Sequence, residues 1–598
     1  MSSIYGVVST QPIPDLGRII GAMSHALPET WEGRGDVWVS DDRVAAMGYG
    51  VHLRTPIQGQ TAEDRESGAR CWVEGTFDDP ALAPQPAAAL LTRLISGGTR
   101  GLLSLQDGFN AAVWEPRERR LSLANDRMGY RPLYLAHRDG LLVFASHMAQ
   151  LAASRLVDLK PNPRALAELL GANSLLGNHT VFEGISVLGP AELVHFDERG
   201  LRTSRYFRLD EIEVRGGYDR ARLDELEPLF LEACRRARGS GEAGLALSGG
   251  LDSRLAVAGL TALDRHLPTF TEGPRDSHDF VLARRVAEAL DLPHQQVVLR
   301  EEDVAGWLEP GISLLGGNVA TLEVHPCHHF LQPGLQFDRI VIGLVGEYTR
   351  AAYPRPTDFD SPDFETLLKR LRLKVMRRAG TERDSVQLWR PEHSSLAHWT
   401  SDRLEETLRS FQWQDSPLDV ADYYYLEVRG RRTLAKGPTM GRLGTEATAP
   451  YLHPDVIEAV LSIPTADRLG NRIQMDLIDR LAPSLNRIPY TSPPAYTTRT
   501  EEIRGERLLR WKKKLNWPSR RYAHAFDLAG WSRGPLRPAL EEILYAPDAA
   551  FRSFLEWEPV KERLDSHFEG RSRQVPLVAA LTSFDLAHRM WATKRKTD

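Results

Sequence analysis

Cysteine is scarce in this chain of 598 residues: Cys71, Cys234 and Cys327 stand far apart. That spacing excludes a disulfide framework and a cysteine-rich zinc site, and it suits a reducing cytosol. Long apolar runs are absent too. No stretch of about 18 apolar residues exists, so no transmembrane helix is expected, and no basic stretch leads into an apolar one as in a secretory signal. A cytoplasmic protein without a membrane partner is the expectation. Net charge is small, −5, which removes any global electrostatic case for a nucleic-acid partner. What remains is an ordinary globular composition, 42% apolar and 26% charged, long enough for two to four domains.

The texture changes once along the chain. Residues 1–210 read as short strands punctuated by Gly and Asp, with helical patterns at "LGRIIGAMSHAL", "AAALLTRLISGG" and "NPRALAELLGANSLL" and a hairpin at "AELVHFDERGLRTSRYF". That predicts an α+β layered domain. From about residue 218, long helical patterns alternate with short apolar strands: "GLALS", "LPTFTEG", "HQQVVL" and "RIVIGLV". Alternation of this kind predicts a parallel sheet covered on both faces. Residues 400–598 read as mostly helical. The domain expectation is therefore 1–210 and 211–598.

The stretch most informative about chemistry is "LALSGGLDS". An apolar strand runs into Leu247, Ser248, Gly249, Gly250, Leu251, Asp252 and Ser253, and a helical pattern follows. A glycine-rich turn opening a helix presents backbone amides to an anion, and glycine lets phosphate oxygens approach closely. Ser248 and Ser253 add hydroxyl donors. Asp252 would repel phosphate directly, so its natural task is to hold Mg²⁺. The loop is neither a dinucleotide fingerprint nor a Walker A loop, which requires a lysine.

This stretch resembles the pyrophosphate loop of ATP pyrophosphatases, and the likeness runs on. "LQDGFNAAVWEP", "NDRMGYRPLYL" and "VFASHM" are similar to the glutaminase half of asparagine synthetase-type proteins. "SHDFVLARRVAEAL", "VIGLVGEYTRAAY" and "GTEATAPYLHPDVIEAVLSIP" are similar to their synthetase half. The resemblance implies an Ntn-hydrolase-like sandwich, then an ATP-pyrophosphatase domain that uses ATP and Mg²⁺ to form an acyl-adenylate. It places Glu347, beside Gly346, where the family has its second magnesium-binding acid, and Phe270 and Thr271 where adenosine is contacted. Glu427, Glu446 and Lys436 are candidates for the catalytic base and for a phosphate contact. Ion pairs with Arg429, Arg431 or Arg432 are the competing reading for the two glutamates.

Two departures from the family pattern stand out. The nucleophilic cysteine of the glutaminase is matched by Ser2, a much weaker nucleophile near neutral pH. The family's Asn-Gly-Glu stretch reads Glu74-Gly75-Thr76. The expectation is a glutaminase-like domain without glutamine hydrolysis, and a substrate that carries its own amine. Among relatives of that kind, β-lactam synthetases have a tyrosine where Leu344 stands, and their late lysine has no counterpart near "RIPYTSPPAYTTR". The chain most resembles lasso peptide cyclases, which implies a linear core peptide as substrate, with a leader-binding protein and a leader peptidase as partners. A run of Arg504, Arg507, Arg510, Lys512, Lys513 and Lys514 could dock a partner, although a solvated helix face explains it as well. The cluster His325, Cys327, His328 and His329 fits no common zinc spacing.

Overall fold

The structure, a computed structural model, describes residues 2–26, 35–52, 59–79, 82–274, 277–326, 337–360, 362–379, 386–441, 444–490 and 526–592. The basic run 504–514 and Cys327, His328 and His329 lie outside the described residues.

The N-terminal half holds β1 (Ser2–Ser9), β2 (Gly35–Val39), β3 (Ala45–Val51), β4 (Thr61–Glu63), β5 (Arg70–Thr76) and β6 (Gly108–Glu115). It continues with β7 (Arg120–Asn125), β8 (Tyr134–Arg138), β9 (Leu141–Ala145), β10 (Ile185–Val187), β11 (Glu192–Asp197) and β12 (Gly200–Arg205). They form two six-stranded sheets, β10-β8-β9-β1-β3-β2 and β12-β11-β7-β6-β5-β4, with antiparallel pairing throughout. Alternate residues of each sheet, among them Ile4, Met47, Phe144, Trp72, Trp114 and Leu123, point inward and share one core. This is the pattern of two sheets packed face to face. Helix Pro86–Leu103 covers the outer face of the second sheet through Leu90, Leu91 and Leu102. The expected α+β sandwich is what the chain builds.

The C-terminal half contains a five-stranded sheet: β13 (Ala243–Ala246), β14 (Thr269–Gly273), β15 (His294–Val298), β16 (Arg339–Ile342) and β17 (Glu446–Thr448). Its order is β15-β14-β13-β16-β17 and every pair is parallel. The crossover helices between strands cover it, as parallel sheets require. Helix Arg220–Arg238 shows how sequence sets one of these elements. Asp219 caps it by accepting from Arg222 N at 2.9 Å, and Leu226, Phe230, Ala233 and Ala237 form its buried stripe. Arg235, Arg236 and Arg238 complement its C-terminal dipole, and Gly239 ends it at φ +62°. Among the described residues the region beyond residue 400 is mostly helical, as expected, with β17 the strand in it, and its last helix, Val575–Trp591, turns back. That helix is buried in a cluster that also holds Tyr5, Val143, Leu166 and Phe182 of the N-terminal half. Among the described residues no helix is long and apolar enough to cross a membrane.

Ion pairs bolt the halves together. Arg131 pairs with Glu446, Arg205 with Glu427, and Arg127 with Glu458. Asp78 receives Arg339 at 2.5 and 2.7 Å, and Gln106 donates to both oxygens of Asp455 at 2.8 and 2.7 Å.

Candidate functional site

Strand β13 is where the sheet order reverses: β14 lies on one side and β16 on the other. In an open parallel sheet, ligands bind outside the carboxyl ends of the strands at such a switch point. Ser248, Gly249 and Gly250 sit at that end, ahead of helix Leu251–Thr261. Gly250 occupies the N-cap and no side chain caps this helix, so its first amides and dipole favour an anion. Ser248 and Ser253 brace the turn, their hydroxyls 2.8 Å apart, while Ser253 Oγ accepts from Ser248 N at 3.1 Å. Asp279 accepts from Gly249 N at 2.8 Å.

Asp252 and Glu347 meet here. A β-carbon on Gly346 would stand 2.6 Å from the Asp252 carboxyl carbon, so the second loop reaches the first only because residue 346 is glycine. Gln474 donates to Asp252 Oδ1 at 2.7 Å. Arg350 lies between the acids, 3.5 Å from Asp252 Oδ1 and 4.0 Å from Glu347 Oε1. Burial first, and the Glu347 charge second, push the Asp252 carboxyl up to about 6; Arg350 and Gln474 offset this only in part. Tyr425 donates to Glu347 Oε2. Two carboxylates beside an anion cradle, one of them destabilised by burial, fit Mg²⁺, which takes one or two carboxylates and draws its remaining ligands from phosphates and water. Among the described residues no group of three or more His, Cys, Asp or Glu could cage an ion.

The other candidates have structural partners. Thr271 donates to Leu247 O at 2.6 Å, fixing the end of β13, and Phe270 packs with Val297, Ile340 and Phe337. Glu427 and Glu446 are indeed ion-paired, with Arg205 and Arg131 of the other half rather than with Arg429, Arg431 or Arg432. Lys436 pairs with Glu323. All three candidates therefore hold an ion-pair partner, Glu427 and Glu446 across the two halves and Lys436 within the second.

Sequence reasoning missed Arg350, Gln474, Tyr425 and Arg254. Arg254 carried a legible signal, a charge inside an otherwise apolar helix. Fully buried, it donates to Leu485 O, Ile488 O and Pro489 O at 3.0, 2.7 and 2.9 Å and stacks over Tyr490 at 4.1 Å. It thereby ties the loop to residues 485–490.

Gly343, at the exit of β16, is as constrained as Gly346. A β-carbon there would lie 2.5 Å from Ser253 N and 2.8 Å from Asp252 C, backbone atoms that cannot swing aside. Gly343→Ala is expected to cost about 1–3 kcal/mol by overpacking and to misplace the loop. A lower denaturation midpoint together with weakened nucleotide binding would register both effects.

In the N-terminal half, Ser2 begins β1 opposite Val51. Glu74 is buried, accepting from Asn110 Nδ2 and, at 2.6 Å, from Ser146 Oγ. Ser146 Oγ in turn accepts from Ile4 N at 3.0 Å. Glu74 is thus built into the support of β1.

Comparisons with known proteins agree with this arrangement. Residues 87–207 match the family model of a glutamine amidotransferase domain, and residues 225–332 that of asparagine synthase. Glutamine-hydrolyzing asparagine synthetase 2 of Bacillus subtilis (strain 168) is 29% identical over 206 residues, covering 32% of this chain and 27% of that protein. Synthetase 3 of the same organism is 24% identical over 225 residues, 34% and 36% of the two chains. The Mus musculus glutamine-hydrolyzing asparagine synthetase is 25% identical over 259 residues, 38% and 40% of the two chains. The matched stretches thus span well under half the length of these curated relatives. A solved glutamine phosphoribosylpyrophosphate amidotransferase of B. subtilis covers 63% of this chain and 79% of its own at 11% identity, with a TM-score of 0.25, too low to bear on the reading. A stretch similar to a glutamine amidotransferase domain thus precedes one similar to asparagine synthase, and the chain is similar in part to glutamine-hydrolyzing asparagine synthetases.

Proposed function

We propose that this protein is an ATP-dependent amide-forming ligase whose substrate supplies both the carboxylate and the amine, as in lasso peptide macrolactam closure. The observation that carries the ligase reading is the pairing of Asp252 and Glu347 across the anion-binding turn at the switch point. In the reaction a substrate carboxylate oxygen attacks the α-phosphorus of ATP, the α–β phosphoanhydride bond breaks, and pyrophosphate leaves. The amine then attacks the acyl carbon, loses its proton to solvent or a base, and AMP departs with the carboxylate oxygen. The loop amides and the Ser248 and Ser253 hydroxyls would receive the departing pyrophosphate. Asp252 and Glu347 would hold Mg²⁺, which supplies charge neutralisation on the phosphates. Ser2 in place of a thiol, and Glu74 committed to Asn110 and Ser146, support an amine that does not come from glutamine. A linear peptide as substrate, prepared by a leader-binding protein and a leader peptidase, is the specific form of this proposal.

Glutamine-dependent asparagine synthesis is the second reading. It is favoured by the names of the relatives and by the match to the amidotransferase family model. One assay separates the two. Purified protein with ATP and Mg²⁺ is given either aspartate with glutamine or a linear precursor peptide encoded beside the gene. Pyrophosphate release with the peptide, a product lighter by one water and no glutamate from glutamine are expected. Glutamate and asparagine formation would establish the second reading instead.

A further inference from the structure

The helix carrying Tyr425 changes its winding where the other half of the chain touches it. Val420–Tyr424 is α-helical, but Tyr425–Leu434 continues as a π-helix, and Ala435 N donates to Gly430 O, five residues back, at 2.8 Å. π-Segments are rare, are mostly single turns, and gather at functional sites. Departures from α-winding have identifiable causes, a side chain inserted into the hydrogen-bond ladder among them.

Here the inserted group is Tyr130, from the turn after β7. Its hydroxyl donates to Leu426 O at 3.0 Å. The slot exists because residue 430 is glycine: a β-carbon there would overlap the Tyr130 hydroxyl. The turn that presents Tyr130 is itself fixed, since Asp126 accepts from Phe109 N, Met128 N and Gly129 N at 3.2, 2.9 and 2.9 Å. One residue further back from Leu426, the Tyr425 hydroxyl holds Glu347.

We infer that Tyr130 is a positioning residue for Glu347. Its hydroxyl, wedged between Leu426 and Gly430, anchors the turn from which Tyr425 aims the Glu347 carboxylate at Asp252. The glutaminase-like half thereby shapes the synthetase site through one hydrogen bond. This rests on the reading of Asp252 and Glu347 as the metal-holding pair.

The test is Mn²⁺ binding in the presence of inorganic pyrophosphate, followed by electron paramagnetic resonance on the full-length protein. Tyr130→Phe keeps the ring and removes the hydroxyl. It is expected to weaken Mn²⁺ binding about fivefold, the value of one ordinary hydrogen bond, with little change in melting temperature. Tyr425→Phe should weaken it as much or more. If Tyr130 acts through Tyr425, the double variant binds no worse than Tyr425→Phe alone. Gly430→Ala, which expels the hydroxyl sterically, should reproduce the loss. Unchanged Mn²⁺ affinity in Tyr130→Phe, or additive effects in the double variant, overturns the inference. Asp252→Asn separates the two levels: if it leaves Mn²⁺ affinity intact, the reading of the metal pair has failed; if it abolishes binding while Tyr130→Phe does not weaken it, the positioning role has.

Discussion

Asp252→Asn is expected to lower ATP–pyrophosphate exchange by about 10³-fold while leaving the ligand-free fold more stable, not less. The two halves of that result share one cause. The carboxylate is largely buried and faces a second acid, so its charge is costly without a bound cation, and the folded state prefers the protonated form. The sign follows from linkage: a carboxyl raised from 3.8 to about 6 on folding costs the fold nothing at low pH and progressively more as pH rises through that window. Wild-type stability should therefore fall relative to Asp252→Asn between about pH 4 and pH 6. Above that window the variant should be ahead by on the order of 1 kcal/mol. Activity moves the other way, because the amide offers no charge to a metal whose value lies in neutralising phosphate in the transition state; losses of 10²–10³ are typical for such electrostatic groups. Urea melts at pH 4 and pH 7 and an isotope-exchange assay would read both. A variant no more stable than wild type at pH 7 would mean that Arg350 and Gln474 compensate the charge fully.

Arg468→Met is expected to cost about 3–5 kcal/mol, the range for removing one partner of a buried ion pair. Arg468 is 2% exposed and Asp422 0%. They lie 2.6 Å apart, and Arg468 also donates to Tyr348 O at 2.8 Å and to Ile463 O at 3.0 Å. Asp422 accepts from Ala352 N at 3.0 Å. The pair thus holds the middle and the far end of the segment carrying Glu347, in which Val345 and Ala351 have φ of +58° and +55°, a strained conformation for residues with a β-carbon. Loss of the clamp should release that segment. Faster amide exchange over residues 345–352, together with a lower denaturation midpoint, is the measurement; a midpoint within about 1 kcal/mol of wild type would contradict it.

What could be read from the sequence divides along chain distance. The pyrophosphate-type loop was legible because its parts are contiguous: apolar strand, two glycines, acid and helix occur within residues 243–261. The layers of both halves followed from period-two and helical patterning in the same way. The partners of Glu427 and Glu446 were not legible. Neighbouring arginines in sequence competed for them, yet the partners chosen lie 222 and 315 residues away. Tyr425 meets Glu347 across 78 residues, and Tyr130 meets Leu426 across 296. The π-winding has no local signature either, because the group that fills its slot comes from the other half. The contacts of Glu427, Glu446 and Tyr130 are set by docking of the two halves, and that of Tyr425 with Glu347 by packing within the second, and neither leaves a local pattern in the sequence.

The charged seam between the halves has an evolutionary consequence. Glu427, Glu446, Glu458 and Asp455 all take their cation or amide partner from residues 106–205. Were the N-terminal half deleted, these four acids would lose their partners and leave uncompensated negative charge on the newly exposed surface of the C-terminal half. Loss of the older chemistry would not make that half dispensable. It would persist as an electrostatic shield, and shortening the gene would require several of these acids to be replaced first.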